Sequence, residues 1–151
     1  MSDDDIGGTW SSVAIIHVRG IPKGQPRPRA FAMKGKICVY NPGTAEAWKS
    51  AIAEAARPFV PETPLEGPIR VNITWYLPRP KRLCRKKDWP GPLPHVAKPD
   101  RDNLDKAVLD ALKTIGFYRD DSQVCDGVLR KRYPSIGIPP GADISIWRWV
   151  T

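Results

Sequence analysis

Asp100, Asp102 and Lys106 lie close together in a segment that reads Lys-Pro-Asp-Arg-Asp-Asn-Leu-Asp-Lys from position 98. A second acidic pair, Asp120 and Asp121, follows after about one helix-length of sequence. Carboxylate oxygens are the ligands that Mg²⁺ prefers, and a bound Mg²⁺ lowers the pKa of water and stabilises charge on a phosphodiester. A lysine ammonium one helical turn from Asp102 would stabilise charge on the same phosphodiester. The spacing therefore favours metal-assisted hydrolysis of a phosphodiester.

Helix capping is the ordinary structural interpretation of these acids. Aspartate is a preferred N-cap and stabilises the helix dipole, so Asp100 or Asp102 alone would be interpreted as a cap. Two aspartates at this spacing, together with Lys106 and the downstream acidic pair, favour a metal site instead. A calcium-binding EF-hand is excluded because Leu104 occupies the fifth position of the loop and no glycine follows it.

Other catalytic chemistries find little support in the sequence. His17 lies in an apolar run and His95 in a proline-rich segment, and neither has a serine or cysteine partner nearby, which argues against a hydrolytic triad. No glycine-rich phosphate loop is present, so we expect no nucleotide cofactor. The cysteines match neither a zinc site nor a disulfide framework, so we expect a reducing, cytoplasmic environment. They are Cys38, Cys84 and Cys125.

Charge is distributed unevenly along the 151 residues. The chain has 24 Lys and Arg against 16 Asp and Glu, a net charge of +8. Residues 100–126 hold seven of the acids and four of the bases, which leaves 20 bases and nine acids elsewhere. A basic body around one acidic segment suits a protein that binds a polyanion and also holds cations. A basic protein with ordinary acids on its helix faces fits the charge equally well.

Two loops carry most of the expected polyanion contacts. Residues 19–36 contain six bases and no acid, and prolines hold Arg27 and Arg29 in an extended backbone that is ready to contact phosphates. Residues 78–97 form a second long basic loop, and a loop of this length in a small domain is usually functional or mobile. A solvated surface is the alternative for both loops. The candidate phosphate contacts are Lys23, Arg27, Arg29, Arg79, Lys81, Arg82, Lys86 and Lys87.

Periodicity and turn residues predict one α/β domain of the α+β type, in which two main helices pack on a mixed sheet in the order β-hairpin-α-β-α-β-β. The predicted strands are 12–19, 69–77, 123–133 and 142–150, the hairpin strands are 31–33 and 37–40, and the helices are 45–57 and 102–115. Residues 41–44 are predicted to form a turn that caps the first helix. We expect the domain to span residues 12–151 behind a disordered acidic segment, residues 1–11.

Four segments of the chain resemble the RusA family of Holliday junction resolvases, the crossover-junction endodeoxyribonucleases. They are G-I-P-K-G-Q-P-R-P-R at 20–29, L-P-R-P-K at 77–81, K-P-D-R-D-N-L-D-K-A-V-L-D-A-L at 98–112 and D-D-S-Q-V at 120–124. They occur in the family's order and together span nearly the whole chain after residue 12. The K-P-D-x-D-N-L-x-K string followed by D-D-S-Q-V is the most specific part of this resemblance.

The resemblance implies a homodimer that makes paired nicks across a four-way DNA junction in recombination and repair, with Mg²⁺ as cofactor and Mn²⁺ as a substitute. It places the catalytic and metal-binding aspartates at Asp100, Asp102 and Asp121, with Asp120 as the alternative ligand, and the essential lysine at Lys106. Arg101 stands where the family often has an aliphatic residue. The resemblance also implies action at the bacterial nucleoid and is compatible with a phage or prophage origin.

Two other functions remain as alternatives at this point. A non-catalytic, junction-binding accessory protein of recombination would keep the basic loops, but the intact set of three aspartates and Lys106 favours the enzyme. A single-strand binder of the barrel type is disfavoured by the two helices and the acidic segment. No apolar run is long enough for a transmembrane helix, so we expect no membrane partner.

Overall fold

A mixed six-stranded sheet forms the framework of the protein, which a computed structural model describes over residues 7–40 and 43–151. The strands are β1 (Thr9–Arg19), β2 (Arg29–Met33), β3 (Lys36–Tyr40), β4 (Ile69–Tyr76), β5 (Leu93–Pro94), β6 (Val124–Asp126), β7 (Leu129–Tyr133) and β8 (Gly141–Val150). The sheet has the order β1-β8-β4-β7-β5, and β6 pairs with one end of β4. Strand β4 is antiparallel to β8 and parallel to β6 and β7, which confirms the predicted mixed sheet.

Two helices, α1 (Glu46–Ala56) and α2 (Arg101–Thr114), pack against each other and against the buried face of the sheet. The apolar stripe of α1 buries Trp48 and Ile52, and that of α2 buries Leu104, Val108 and Leu112. These apolar side chains face β4, in which every second residue is buried. The alternation of apolar and polar residues in this strand predicted that pattern of burial. Burying each such side chain contributes about 1.5–3 kcal/mol relative to leaving it exposed, so α2 is held firmly on the sheet.

The predicted hairpin is confirmed as a separate two-stranded sheet formed by β2 and β3. Lys34 and Gly35 connect the strands with φ angles of 51° and 74°, the conformation that a tight two-residue hairpin turn requires. Apolar side chains of the hairpin are exposed, including Ile37 and Val39 at 78% and 68%. The hairpin therefore projects from the core rather than contributing to it.

Three predictions differ most from the structure. Strand β1 begins at Thr9, so the last residues of the segment predicted to be disordered are strand. The single strand predicted over 123–133 is two strands, because Gly127 has a φ of 147° and approaches the Val71 carbonyl so closely that a Cβ would lie 2.0 Å from its oxygen. The basic loop 78–97 contains the short strand β5.

Some sequence predictions lie outside the described residues. These are the structure of residues 1–6 and the first half of the turn predicted at 41–44. Within the part of the chain that is described, no helix has the length and apolar character needed to cross a membrane.

Candidate active site

Asp100 occupies the N-cap position of α2, but its carboxylate does not cap the helix. The backbone of Asp100 is extended and its carbonyl accepts a hydrogen bond from the Leu104 N–H at 3.2 Å. Lys98 Nζ donates to the two carboxylate oxygens at 2.8 and 2.9 Å. This hydrogen bond lowers the pKa of Asp100, and the positive charges of Lys131 and Arg27 lower it further. The side chain is therefore ionised and half exposed, and a metal ion bound to it would compete with the Lys98 ammonium.

Asp102 and Lys106 are exposed on the first and second turns of α2. A spacing of four residues places them on one face of the helix. Among the described residues neither side chain has a hydrogen bond or an ion pair, so they are not tied to each other. Both side chains are thus available to a substrate or a cation.

Asp120 and Asp121 have different surroundings although they are adjacent. The Asp120 carboxylate accepts the Ser122 N–H at 2.8 Å and caps the short 3₁₀ helix Asp121–Gln123, which lowers its pKa. The Asp121 Oδ1 atom is buried and has no hydrogen-bond partner in the part of the chain that the structure describes. Because buried oxygens are nearly always satisfied, this orphaned atom points to a missing partner. Asp121 is therefore the better candidate ligand of the two.

Asp105 belongs to the same region, although sequence reasoning did not select it. It lies on α2 three residues after Asp102 and is partly buried. Burial raises the pKa of Asp105, and the nearby carboxylate of Asp121 raises it further. Burial and the charge of Asp121 also raise the pKa of Tyr118, whose hydroxyl donates to the Leu109 carbonyl at 2.7 Å. The spacing of three residues between Asp102 and Asp105 was the sequence signal that could have identified Asp105, since residues at this spacing share a helix face.

The acids of the site thus fall into two groups. Asp100 lies among basic groups, whereas Asp121 lies beside Asp105. Over residues 7–40 and 43–151, no three His, Cys, Asp or Glu side chains are gathered as a metal-binding group. The carboxylate donors and the orphaned Asp121 oxygen suit a hard divalent cation such as Mg²⁺. The donor chemistry fits this ion, although a cage of three carboxylates is not assembled.

The raised pKa of Asp105 predicts how stability depends on pH. The folded protein binds the Asp105 proton more tightly than the unfolded chain does, so the protonated carboxyl favours folding. This contribution to the free energy of unfolding is lost as the pH rises from 3.8, the ordinary pKa of Asp, through the raised pKa of the folded protein. We expect Asp105→Asn to raise the melting temperature at pH 7 in EDTA, with a gain that shrinks below about pH 4. Thermal melts of both proteins from pH 3 to 8 measure this, and a gain independent of pH would contradict it.

The arm, by which we mean residues 20–29, docks directly on the start of α2. The Gln25 N–H donates to the Asn103 carbonyl at 2.8 Å. A Cβ on Gly24 would lie 2.9 Å from the Asn103 Cβ and 3.3 Å from the Pro99 Cβ, so only glycine permits this approach. The docking brings the exposed Arg27 near enough to Asp100 to lower its pKa. Sequence reasoning identified the arm and α2 separately but not this contact.

Arg79, one of the predicted phosphate contacts, is engaged within the protein itself. Its guanidinium donates to the carbonyls of Leu83, Gly91 and Pro134 at 2.9, 2.7 and 3.2 Å, and also to that of Trp89. These bonds hold the second basic loop together and occupy most of the donors of Arg79. The loop's other predicted phosphate contacts are exposed: Lys81, Arg82, Lys86 and Lys87.

Aromatic side chains near the loops could stack on unpaired bases only where they are exposed. Tyr118 and Tyr133 are buried, so their role is packing. Trp89 is 65% exposed and stays a candidate for base stacking.

Two comparisons with known proteins bear on this site. A family model described as endodeoxyribonuclease RusA matches residues 19–146, which include the arm, α2 and the turn that carries Asp121. The uncharacterized protein YqaN of Bacillus subtilis (strain 168) is 36% identical over 121 residues, covering 77% of this chain and 84% of that protein.

Proposed function

The chain belongs to the RusA family of endodeoxyribonucleases, and we propose that within it this protein resolves four-way (Holliday) junctions by paired nicks in DNA recombination and repair. The docking of the arm on α2 is the observation that carries the proposal. It brings Arg27 near Asp100 at the start of α2, so a DNA phosphate held by Arg27 would lie close to this carboxylate.

We propose that Asp100, Asp102 and Asp121 bind Mg²⁺, with Mn²⁺ as a substitute, and that their carboxylates draw together around the ion, because they are not gathered as a group without it. The ion would activate water and stabilise charge on the phosphodiester. Asp121 contributes a buried oxygen without another partner, and Asp102 contributes an exposed carboxylate. Lys106 presents its ammonium from the same helix face as Asp102, where it stabilises negative charge that develops on the phosphate during cleavage.

A homodimer is part of the proposal because a four-way junction has two-fold symmetry. A two-fold dimer presents two identical sites to opposed strands, which is what paired nicks require. The exposed lysines and arginines of the arm and of the second loop would hold the four duplexes of the junction through their phosphates. Such phosphate contacts do not depend on the DNA sequence.

Cleavage of a synthetic four-way junction tests the proposal. The labelled junction and a linear duplex of the same sequence are incubated with the protein, with and without Mg²⁺, and the products are separated on denaturing gels. We expect symmetric nicks in the junction only when Mg²⁺ is present and little cutting of the duplex. Binding without cleavage would favour the accessory protein instead, and equal cutting of both substrates would contradict junction selectivity.

The salt dependence of binding tests the role of the arm. Arg27→Ala combined with Arg29→Ala should weaken junction binding and reduce the slope of log K against log salt by about 1.8, since each phosphate contact contributes about 0.9. Arg57→Ala is the control, because Arg57 is exposed but bonded to Glu54 at 2.6 Å. Fluorescence anisotropy at several salt concentrations gives the slopes. An unchanged slope for the double variant would show that the arm does not contact the phosphates.

A further inference from the structure

A cavity of about 480 Å³ lies where the arm, the end of β4 and the segment before α2 meet. Its walls include the apolar side chains of Ile21, Leu77 and Pro99, and two lysines, Lys23 and Lys98, also line it. This volume falls within the range of about 300–1,000 Å³ that is typical of small-ligand sites. Since Lys98 is bonded to Asp100, the cavity adjoins the candidate active site.

His95 lines this cavity and has no role in the proposed cleavage. Its side chain is only 9% exposed, its backbone N–H donates to the Lys131 carbonyl, and its ring packs edge-to-face on Tyr133 at 4.8 Å. The Nδ1 atom is buried and has no hydrogen-bond partner among the described residues, so Nε2, which is not among the buried unpaired nitrogens, is the atom that a ligand in the cavity would reach. Burial lowers the pKa of His95 and the charge of Lys131 lowers it further, so the ring is neutral at neutral pH.

These features of the cavity indicate the chemical class of the ligand that it would bind. A neutral imidazole has one donor and one acceptor nitrogen, which suits the polar edge of a base better than a phosphate. Apolar walls suit the flat faces of a base, and the two lysines suit the phosphate attached to it. A free anion would not need the apolar walls.

We propose that this cavity receives one nucleobase of the DNA strand next to the phosphate that is cut, and that His95 hydrogen-bonds the edge of that base. The inference rests on the proposed function and adds to it a site that makes cleavage depend on sequence. A buried hydrogen-bonding group discriminates strongly between ligands, because a base that cannot pair with it leaves it unsatisfied.

A junction library with random nucleotides on both sides of the cut tests this inference. We expect the wild-type protein to prefer particular bases at one position, and His95→Phe to reduce that preference about tenfold or more. Phenylalanine keeps an aromatic ring against Tyr133 but cannot hydrogen-bond. His17→Phe is the matched control, because His17 is exposed, lies on β1 and bonds Asp143 at 2.7 Å instead of lining this cavity. Its preference should equal that of the wild type.

A second measurement keeps His95 and so does not depend on whether His95→Phe folds. 2-Aminopurine is placed at each position beside the cut, and its fluorescence is followed on binding to Asp102→Asn protein in the presence of Mg²⁺. We expect a rise at one position, because a base that enters the cavity leaves the stack. Adding Ile21→Trp, which fills the cavity, should suppress the rise.

The outcomes separate the inference from the proposed function. A wild-type protein that cuts without base preference, a preference unchanged in His95→Phe, or no fluorescence rise at any position overturns the inference alone. A wild-type protein that does not cut junctions at all overturns the proposed function and the inference together.

Discussion

Asp102→Asn is expected to abolish Mg²⁺-dependent cleavage of a four-way junction while junction binding survives or becomes tighter. Asparagine has the size of aspartate but lacks its charge, so a cation at this position loses a ligand and a nearby phosphate loses a repulsive neighbour. We expect the cleavage rate to fall by at least about 10²-fold. Asp102 is exposed in the first turn of α2, where a carboxylate contributes only about 0.3–1 kcal/mol to helix stability, so folding should change little.

Asp110→Asn is the matched control for this experiment. Asp110 lies two turns further along α2 and has its own partner, Lys49, at 3.6 Å. The two variants carry the same chemical change on the same helix, so a loss of cleavage confined to Asp102→Asn locates the effect at the start of α2. Gel assays of cleavage with Mg²⁺ and of binding in EDTA measure both quantities. Cleavage by Asp102→Asn at nearly the wild-type rate would refute the metal-site assignment.

Elements defined by local pattern were predictable from the sequence. The alternation in β4 and the apolar stripe of α2 each show which side of the element is buried, and both were confirmed within one residue at each end. The break at Gly127 was not predictable, because it depends on a close approach to the Val71 carbonyl, a contact between strands far apart in sequence. Local periodicity carries no information about such an approach.

In the candidate site too, features set by local sequence were predicted and features set by tertiary contacts were not. Asp100, Asp102 and Lys106 were found together because one helix start positions them, and helical spacing can be read from sequence. The docking of Gln25 on Asn103 needs the tertiary fold and was missed. Arg79 was assigned to phosphate because its charge is visible in the sequence, whereas the carbonyls that bind it come from residues 83, 89, 91 and 134 and are brought together only by folding.

Lys106→Ala should reduce the rate of junction cleavage by about 10²–10³-fold with little change in junction affinity or stability. The reason is that a charge opposite the phosphate contributes most when extra negative charge develops there, which happens in the transition state and not in the bound junction. An ordinary role in an ion pair four residues from Asp102 would contribute only about 0.3–0.5 kcal/mol, and among the described residues Lys106 has no such partner. Its exposed position therefore fits a role toward the substrate better than a role in folding.

Single-turnover cleavage of a pre-bound junction, started by adding Mg²⁺, separates the chemical step from binding. Lys113→Ala is the control, because Lys113 is also an exposed lysine of α2 but lies in its last turn, away from the acids at the start of the helix. If both alanine variants cleave within a few-fold of the wild type, Lys106 has no part in the chemistry. If both lose cleavage equally, the loss reflects the general positive charge of α2. A loss confined to Lys106→Ala, with unchanged binding and melting temperature, is the result that a catalytic ammonium requires.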